Sequence, residues 1–190
     1  MELQQLRDSI RPWMGEYRYR HSLSTEEVAC DLALIHGCNM WKACIAGILH
    51  DCAKDLSDEE LINECKRYQL PVSEVERQRI LLLHAKVGAA YAEDIFGIKD
   101  EDIINAIRYH TTGRPGMSLL EKIIFISDYI EPNRKPLPGI DRIRFEAYNH
   151  LDNAVIMVSE NTLNYLRKTG SVIDTLTMDT YEYYKGLIGL

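Results

Sequence analysis

Nowhere in its 190 residues does the chain sustain the alternation of apolar β-branched and polar residues that a half-buried strand requires. This constrains the fold more than any single motif does. Helical signals recur instead. Ser57-x-x-Glu60 and Ser73-x-x-Glu76 have the form of capping boxes, in which a hydroxyl and a carboxylate satisfy free backbone donors at a helix start. Asp100, Glu101 and Asp102 put negative charge at the expected start of a helix ending near His110. Gly37, Gly97 and Gly170 each follow a helical run and predict left-handed closures. Val28, Leu32 and Ile35, with Ala29 and Ala33 beside them, form a helical stripe. Ile123 to Ile126 could be a buried strand, but the flanking residues extend the run past strand length and predict a buried helix. The one long irregular segment, Glu131 to Ile140, contains Pro132, Pro136, Pro138 and Gly139, as expected of a loop over a site. With no repeat and no linker, residues 1–190 are predicted to form an all-α, single-domain helical bundle.

Charge narrows the partners. Twenty-two basic and 29 acidic residues give a formal charge of −7, which argues against general binding to nucleic acid or to an anionic membrane. A polyphosphate ligand stays compatible, because bound metal ions can reverse the local field. No apolar run approaches the ~20 residues of a membrane span, and the first five residues lack a signal-peptide core. The five cysteines, Cys30, Cys38, Cys44, Cys52 and Cys65, are odd in number and form no Cys-x-x-Cys. They are read as small buried hydrophobes, not as a disulfide framework. A reducing cytoplasm fits these features, and a homodimer is left open.

The chemistry-bearing residues are His50 and Asp51, side by side after the apolar lead Ile45 to Leu49, together with His21, His84, His110 and Asp128, each within or at the end of a helical segment. Neutral imidazoles suit iron, manganese or zinc, and a carboxylate can bridge two ions through its two oxygens. His84 follows four apolar residues and Asp128 lies in an apolar helix, where an unpaired polar group is costly. A hydrogen-bonded core histidine at position 50 with a capping Asp51 is the plainer alternative. His36 and His150 have no such company and are assigned structural roles. The turn Thr111, Thr112, Gly113, Arg114 supplies hydroxyls, backbone donors and a guanidinium suited to phosphate oxygens. Arg18, Lys54 and Arg134 are further candidate phosphate contacts, each of which could equally be a solvated surface charge.

Taken together, His50-Asp51-x-Ala53-Lys54, His84-Ala85-x-Val87-Gly88-Ala89, Arg108 through Met117, Leu119 through Lys122 and Asp128 through Arg134 resemble the HD-domain superfamily of metal-dependent phosphohydrolases. More closely, they resemble the bacterial YqeK family of symmetrical diadenosine tetraphosphate hydrolases. The resemblance runs from about Arg18 to about Asp174, with the motifs in about 18–135. It implies a helical bundle of the HD-domain type with C-terminal helices. His21, His50, Asp51 and Asp128 would hold a first metal, and His84 and His110 a second, with Asp51 bridging. Two divalent ions are implied, usually iron, with manganese or cobalt as alternatives. The expected reaction is phosphoanhydride hydrolysis by hydroxide generated at the two ions, with Asp51 and Arg114 as catalytic residues, a small nucleotide as substrate and two ADP as products. Lys86 departs from the family, which usually has proline there, and adds a charge near the site. The rival expectations are another HD-type nucleotide phosphohydrolase or phosphodiesterase, an oxygen-activating di-iron protein, and a non-catalytic nucleotide-binding module.

Overall fold

Both capping boxes start helices. A computed structural model describes residues 2–134 and 137–189. In it, Ser57 and Glu60 exchange side-chain and backbone hydrogen bonds ahead of Asp58–Arg67, and Ser73 and Glu76 do so ahead of Glu74–Gln78. A third box, Ser118 with Glu121, opens Leu119–Ile130. Asp100 accepts hydrogen bonds from the backbone of Asp102 and Ile103, which starts Glu101–Tyr109.

Eleven α-helices are present among the described residues. They are α1 (Leu3–Ile10), α2 (Glu16–His36), α3 (Met40–Leu49), α4 (Asp58–Arg67), α5 (Glu74–Gln78), α6 (Leu83–Asp94), α7 (Glu101–Tyr109), α8 (Leu119–Ile130), α9 (Ile140–Asn149), α10 (Leu151–Lys168) and α11 (Thr175–Leu187). Short 3₁₀ turns lie at Arg11–Trp13 and Ile80–Leu82. Among these residues there is no strand, and no helix is long and apolar enough to cross a membrane. The segment from Glu131 to Ile140 is irregular as expected; its Pro136 lies outside the described residues.

Helix α2 packs against α3 and α8, α7 packs on α3, α6 and α8, and α10 lies between α8, α9 and α11. Leu32, Ile48, Leu49, Ile107, Ile123 and Ile124 are fully enclosed at the centre. Burying each such side chain favours folding by roughly 1.5–3 kcal/mol. The stripe on α2 is shorter than the sequence implies. Ala29, Leu32 and Ala33 are buried, whereas Ile35, in the last turn before the helix closes at Gly37 with φ 73°, is 53% exposed.

Two further features position the site. A Cβ on Gly47 would come within 2.8 Å of the Glu26 Cα, so only glycine lets α3 approach α2 this closely. The expectation of free cysteines is corrected at one pair: Cys30 on α2 and Cys44 on α3 are joined by a disulfide, with Cα atoms 5.6 Å apart. The two residues face each other across that close helix pair, a relation that cysteine spacing does not reveal. Cys38, Cys52 and Cys65 are free thiols, the last two buried.

Candidate metal centre

The six candidate ligands converge from five elements. His21 projects from α2, His50 caps the C-terminus of α3 with Asp51 in the turn beyond it, His84 begins α6, His110 caps α7, and Asp128 lies in α8. All four histidines and Asp51 are buried. His50, Asp51 and His110 thus stand just past helix ends, not within helices, which frees them to turn inward.

Hydrogen bonds orient every ring. Nδ1 of His50 donates to the Gly47 carbonyl at 2.8 Å, Nδ1 of His110 to the Ile107 carbonyl at 2.7 Å, and Nδ1 of His84 to the Leu81 carbonyl. A carbonyl only accepts, so the proton of each neutral ring sits on Nδ1 and the Nε2 lone pair faces the centre. His21 uses a carboxylate instead: its Nδ1 lies 3.0 Å from Glu131 Oε1.

The Nε2 atoms gather in two pairs. Those of His21 and His50 are 3.3 Å apart, and those of His84 and His110 are 3.1 Å apart. Asp51 stands between the pairs. Its Oδ1 is 3.2 and 3.3 Å from Nε2 of His84 and His110, and its Oδ2 is 3.6 and 3.7 Å from Nε2 of His50 and His21. Asp128 Oδ1 adds to the first pair, 2.9 Å from His21 Nε2 and 3.7 Å from His50 Nε2.

These residues fit two divalent cations. Asp51 Oδ1 is a buried oxygen with no hydrogen-bond partner, facing two imidazole lone pairs. Such an arrangement is repulsive unless a proton or a cation lies among them. The groups His21, His50, Asp51 and His50, His110, Asp128 and Asp51, His84, His110 each have ligand atoms within 4.8 Å of one another.

Protonation follows from the surroundings. Burial lowers His50, and it lowers His84 to about 4 with Lys54 acting in the same direction. Burial opposes charge on His21 too, but the hydrogen bonds to Asp128 and Glu131 outweigh it and raise it to about 9. Burial works to raise Asp51 and Asp128. His50 and Lys54 around the first, and Arg134 and His21 around the second, nevertheless hold both carboxyls well below the usual range.

Three of the four proposed cations reach the cluster. Arg18 Nη1 is 2.5 Å from Asp51 Oδ2, Arg134 Nη2 is 2.5 Å from Asp128 Oδ1, and Lys54 Nζ is 3.0 Å from His84 Nε2. Arg18 and Arg134 each keep a buried Nε without a hydrogen-bond partner. Arg114 does not join them. Its Nε and Nη2 donate to the two oxygens of buried Glu121 at 2.8 and 3.0 Å, and its guanidinium lies over the Tyr109 ring at 5.0 Å.

The turn after His110 divides in a similar way. Thr111 Oγ1 lies 3.1 Å from His110 Nε2 and 3.3 Å from His84 Nε2, at the cluster. The Thr112 hydroxyl donates to the Gly113 carbonyl, and the Gly113 N–H donates to the Tyr109 carbonyl. Neither is left as a free phosphate donor. Gly113 is required by its positive φ of 66° and by Thr180, whose Cγ2 would lie 2.8 Å from a Cβ there. Lys86 also points elsewhere, pairing with Glu76 at 2.7 Å. His36 bonds the Ala147 carbonyl and His150 is mostly exposed, so both remain outside the centre. Sequence reading missed Glu131, although its place three residues after Asp128 put it within reach of the same site.

The family described as HD domain matches residues 18–133. A symmetrical bis(5′-nucleosyl)-tetraphosphatase of Halalkalibacterium halodurans is 43% identical over 91% of this chain and 91% of that protein. The protein of the same description in Bacillus subtilis is 40% identical over 92% of each chain, and that of Staphylococcus aureus is 37% identical over 97% and 95%. A solved structure from Clostridium acetobutylicum, described as a "predicted HD superfamily hydrolase involved in NAD metabolism", superposes with a TM-score of 0.94 at 38% identity, covering 98% of each chain.

Proposed function

The chain belongs to the HD-domain family, and from that premise we propose that it hydrolyses the phosphoanhydride chain of diadenosine tetraphosphate symmetrically, releasing two ADP. The observation that carries this reading is the buried Asp51 carboxylate, with one oxygen toward the His84–His110 pair and the other toward the His21–His50 pair. In the proposed site His21, His50, Asp51 and Asp128 would hold one divalent ion, and His84, His110 and Asp51 another. Iron is the proposed metal, with manganese and cobalt as alternatives. Such ions supply a water of low pKa and Lewis acidity toward phosphorus.

The protein's own side chains position the substrate. Arg18 and Arg134 approach the cluster at its two carboxylates, where their guanidiniums can grip phosphate oxygens; Arg134 keeps a buried Nε without a hydrogen-bond partner, and Arg18 Nε lies 3.6 Å from Asp55 Oδ1. Lys54 adds a third positive charge beside His84. Three cations around one cluster favour a polyanionic substrate and speak against a di-iron oxygen-activating role. ADP is a good leaving group, so no strong general acid is required. The cytoplasm, where nucleotides are abundant, is the proposed compartment.

The deciding experiment is product analysis after the iron-loaded protein has been incubated anaerobically with diadenosine tetraphosphate. Two ADP per substrate is the expected result. AMP with ATP would overturn symmetrical attack, and no turnover with any of the three metals would overturn the enzymatic reading.

A further inference from the structure

Helices α2 and α3 carry the first ligand pair, and they meet in antiparallel register. Cys44 of α3 faces Cys30 of α2, Gly47 faces Glu26, and His50 places Nε2 3.3 Å from Nε2 of His21. The Cys30–Cys44 disulfide therefore stands about 9 Å from His50 and about 14 Å from His21 along the two helix axes. Its Cα separation of 5.6 Å falls within the usual range of roughly 4.4–6.8 Å. Among the described residues no hydrogen bond or ion pair joins α2 to Met40–Leu49 of α3. The polar contacts that His21 and Arg18 of α2 make in this direction reach only His50 and the turn beyond it. Packing and one covalent bond hold the two helices in register.

The two sulfurs differ in access. Cys30 is half-buried, whereas Cys44 is 6% exposed, so Cys30 Sγ is the one open to a small thiolate. In a reducing compartment of the kind proposed for this chain, disulfides are mostly transient and redox-sensing. Glu26 completes a trio with the two cysteines whose ligand atoms lie within 4.8 Å of one another. Its two oxygens are taken, however, by Arg7 Nε and Nη2 at 2.9 and 2.6 Å. The pair is therefore better suited to redox exchange than to holding a cation.

Resting on the reading of the cluster as a two-ion site, we propose that Cys30 and Cys44 form a thiol–disulfide exchange site that tunes the first ligand set, His21, His50, Asp51 and Asp128. The co-reactant is a low-molecular-weight thiol. Its thiolate attacks Cys30 Sγ, the Cys30–Cys44 bond breaks, and Cys44 leaves as a thiolate that takes up a proton. A second thiolate attacks the small-molecule sulfur of the mixed disulfide. Cys30 leaves as a thiolate, is protonated in turn, and the small-molecule disulfide departs. One protein disulfide and two small thiols thus become two protein thiols and one small disulfide, and the reverse reaction restores the bond. With the bond closed, α2 and α3 present His21 and His50 in a fixed relation. With it open, two thiols need more room than bonded sulfurs, and packing alone keeps the register. The His84–His110 pair, at the start of α6 and the end of α7, lies outside this clamp.

The test equilibrates the full-length protein anaerobically with glutathione or with glutathione disulfide, removes both, and titrates it with manganese(II), an ion that thiols bind weakly. A count of three free thiols marks the closed form and five the open one. Opening is expected to weaken one of the two manganese ions by about tenfold and to change the other by less than about threefold. The Tm of the metal-free protein should fall by about 5–10 °C. The double variant Cys30→Ser, Cys44→Ser should keep the open-form affinity under both conditions. Cys30→Ala with Cys44→Ala serves the same purpose if the serines disturb the helix contact. Five free thiols after oxidation, identical manganese affinities in the two forms, or a redox effect that persists in a folded double variant would each overturn the proposal. So would equal weakening of both ions, which would place the effect on the fold as a whole. If neither form binds manganese, the two-ion reading falls and the tuning with it, whereas two ions bound alike in both forms remove the tuning alone.

Discussion

Nε2 of His84 lies 3.1 Å from Nε2 of His110 although both rings already direct Nδ1 at backbone carbonyls three residues earlier in the chain. Two lone pairs therefore converge inside the protein beside an unpartnered oxygen of Asp51, with the Lys54 ammonium 3.0 Å from one and the Thr111 hydroxyl 3.1 Å from the other as their only donors among the described residues. A cation relieves this repulsion, so metal binding and folding are coupled. Saturating divalent metal, at about a thousand times its Kd, is expected to stabilise the protein by about 4 kcal/mol. For a chain of this size that corresponds to a Tm increase on the order of 10 °C. Calorimetric scans of chelator-treated and reloaded protein measure it, and equal Tm values would rule out this coupling.

Asp51→Asn is expected to remove more than His84→Ala does. Asp51 faces both histidine pairs, whereas His84 belongs to one. Elemental analysis should show fewer than one ion per chain in Asp51→Asn and close to one in His84→Ala, with turnover lost more completely in the former. Circular dichroism on the same samples separates metal loss from unfolding. Wild-type metal content and activity in folded Asp51→Asn would exclude the bridging role.

Glu131 orients His21 at Nδ1 through a fully buried carboxylate, whereas Nδ1 of the other three rings meets a backbone carbonyl. Glu131→Gln keeps the shape but weakens that support. Loss of a partner of this kind lowers metal affinity by about tenfold to a hundredfold. The effect should fall on one ion of the two, seen as a split in the metal titration. A uniform weakening of both ions would mean that Glu131 acts through the fold instead.

The parts of this site that were legible in the sequence are those in which residue type alone carries the chemistry. A histidine after an apolar run or an aspartate in an apolar helix demands a partner wherever the backbone goes, and all six side chains meet. Helix starts were legible for the same reason, since Ser57 and Glu60 act within one turn. What was not legible depends on pairings between helices. The sequence shows a free Arg114 because Glu121, seven residues on, looks like an ordinary capping residue; in the fold it binds both. Cys30 and Cys44 meet because Gly47 draws α3 onto α2. The buried polar residues of α2 follow no apolar period because each meets a different neighbour: His21 the centre, Ser24 the Asn133 side chain, and Glu26 the Arg7 guanidinium of α1.

Metal uptake should release a proton. In the metal-free protein His21 is raised to about 9, so it is protonated at pH 7.5, whereas His50 and His84 are lowered and both carboxyls are already ionised. The raised pKa stabilises the metal-free fold below the unfolded value of about 6.5, and that contribution is lost as pH rises through about 9. Metal competes with the same proton. Apparent affinity at the first ligand set should therefore strengthen by about tenfold per pH unit between pH 7 and 9 and then level off. Calorimetry in buffers of different ionisation enthalpy counts the proton. No release at pH 7.5 would show that His21 is neutral before metal arrives.

Arg18 and Arg114 should separate catalysis from stability. Arg18 touches Asp51 at the cluster, with its Nε 3.6 Å from Asp55, so Arg18→Ala is expected to lower kcat/KM by about tenfold to a hundredfold, the value of one charge-assisted hydrogen bond. Arg114→Ala instead strands the Glu121 carboxylate, which is 1% exposed. Because the Arg114 side chain is 36% exposed and water can partly replace it, the cost is about 1–3 kcal/mol of stability. Its Tm should fall by several degrees, while kcat/KM measured below the transition changes by less than about threefold. Glu121→Gln should reproduce the Tm loss if the pair acts as a structural unit. If Arg114→Ala keeps its Tm but loses activity as Arg18→Ala does, Arg114 leaves Glu121 to grip the substrate, and the assignment of its fork to the fold is wrong.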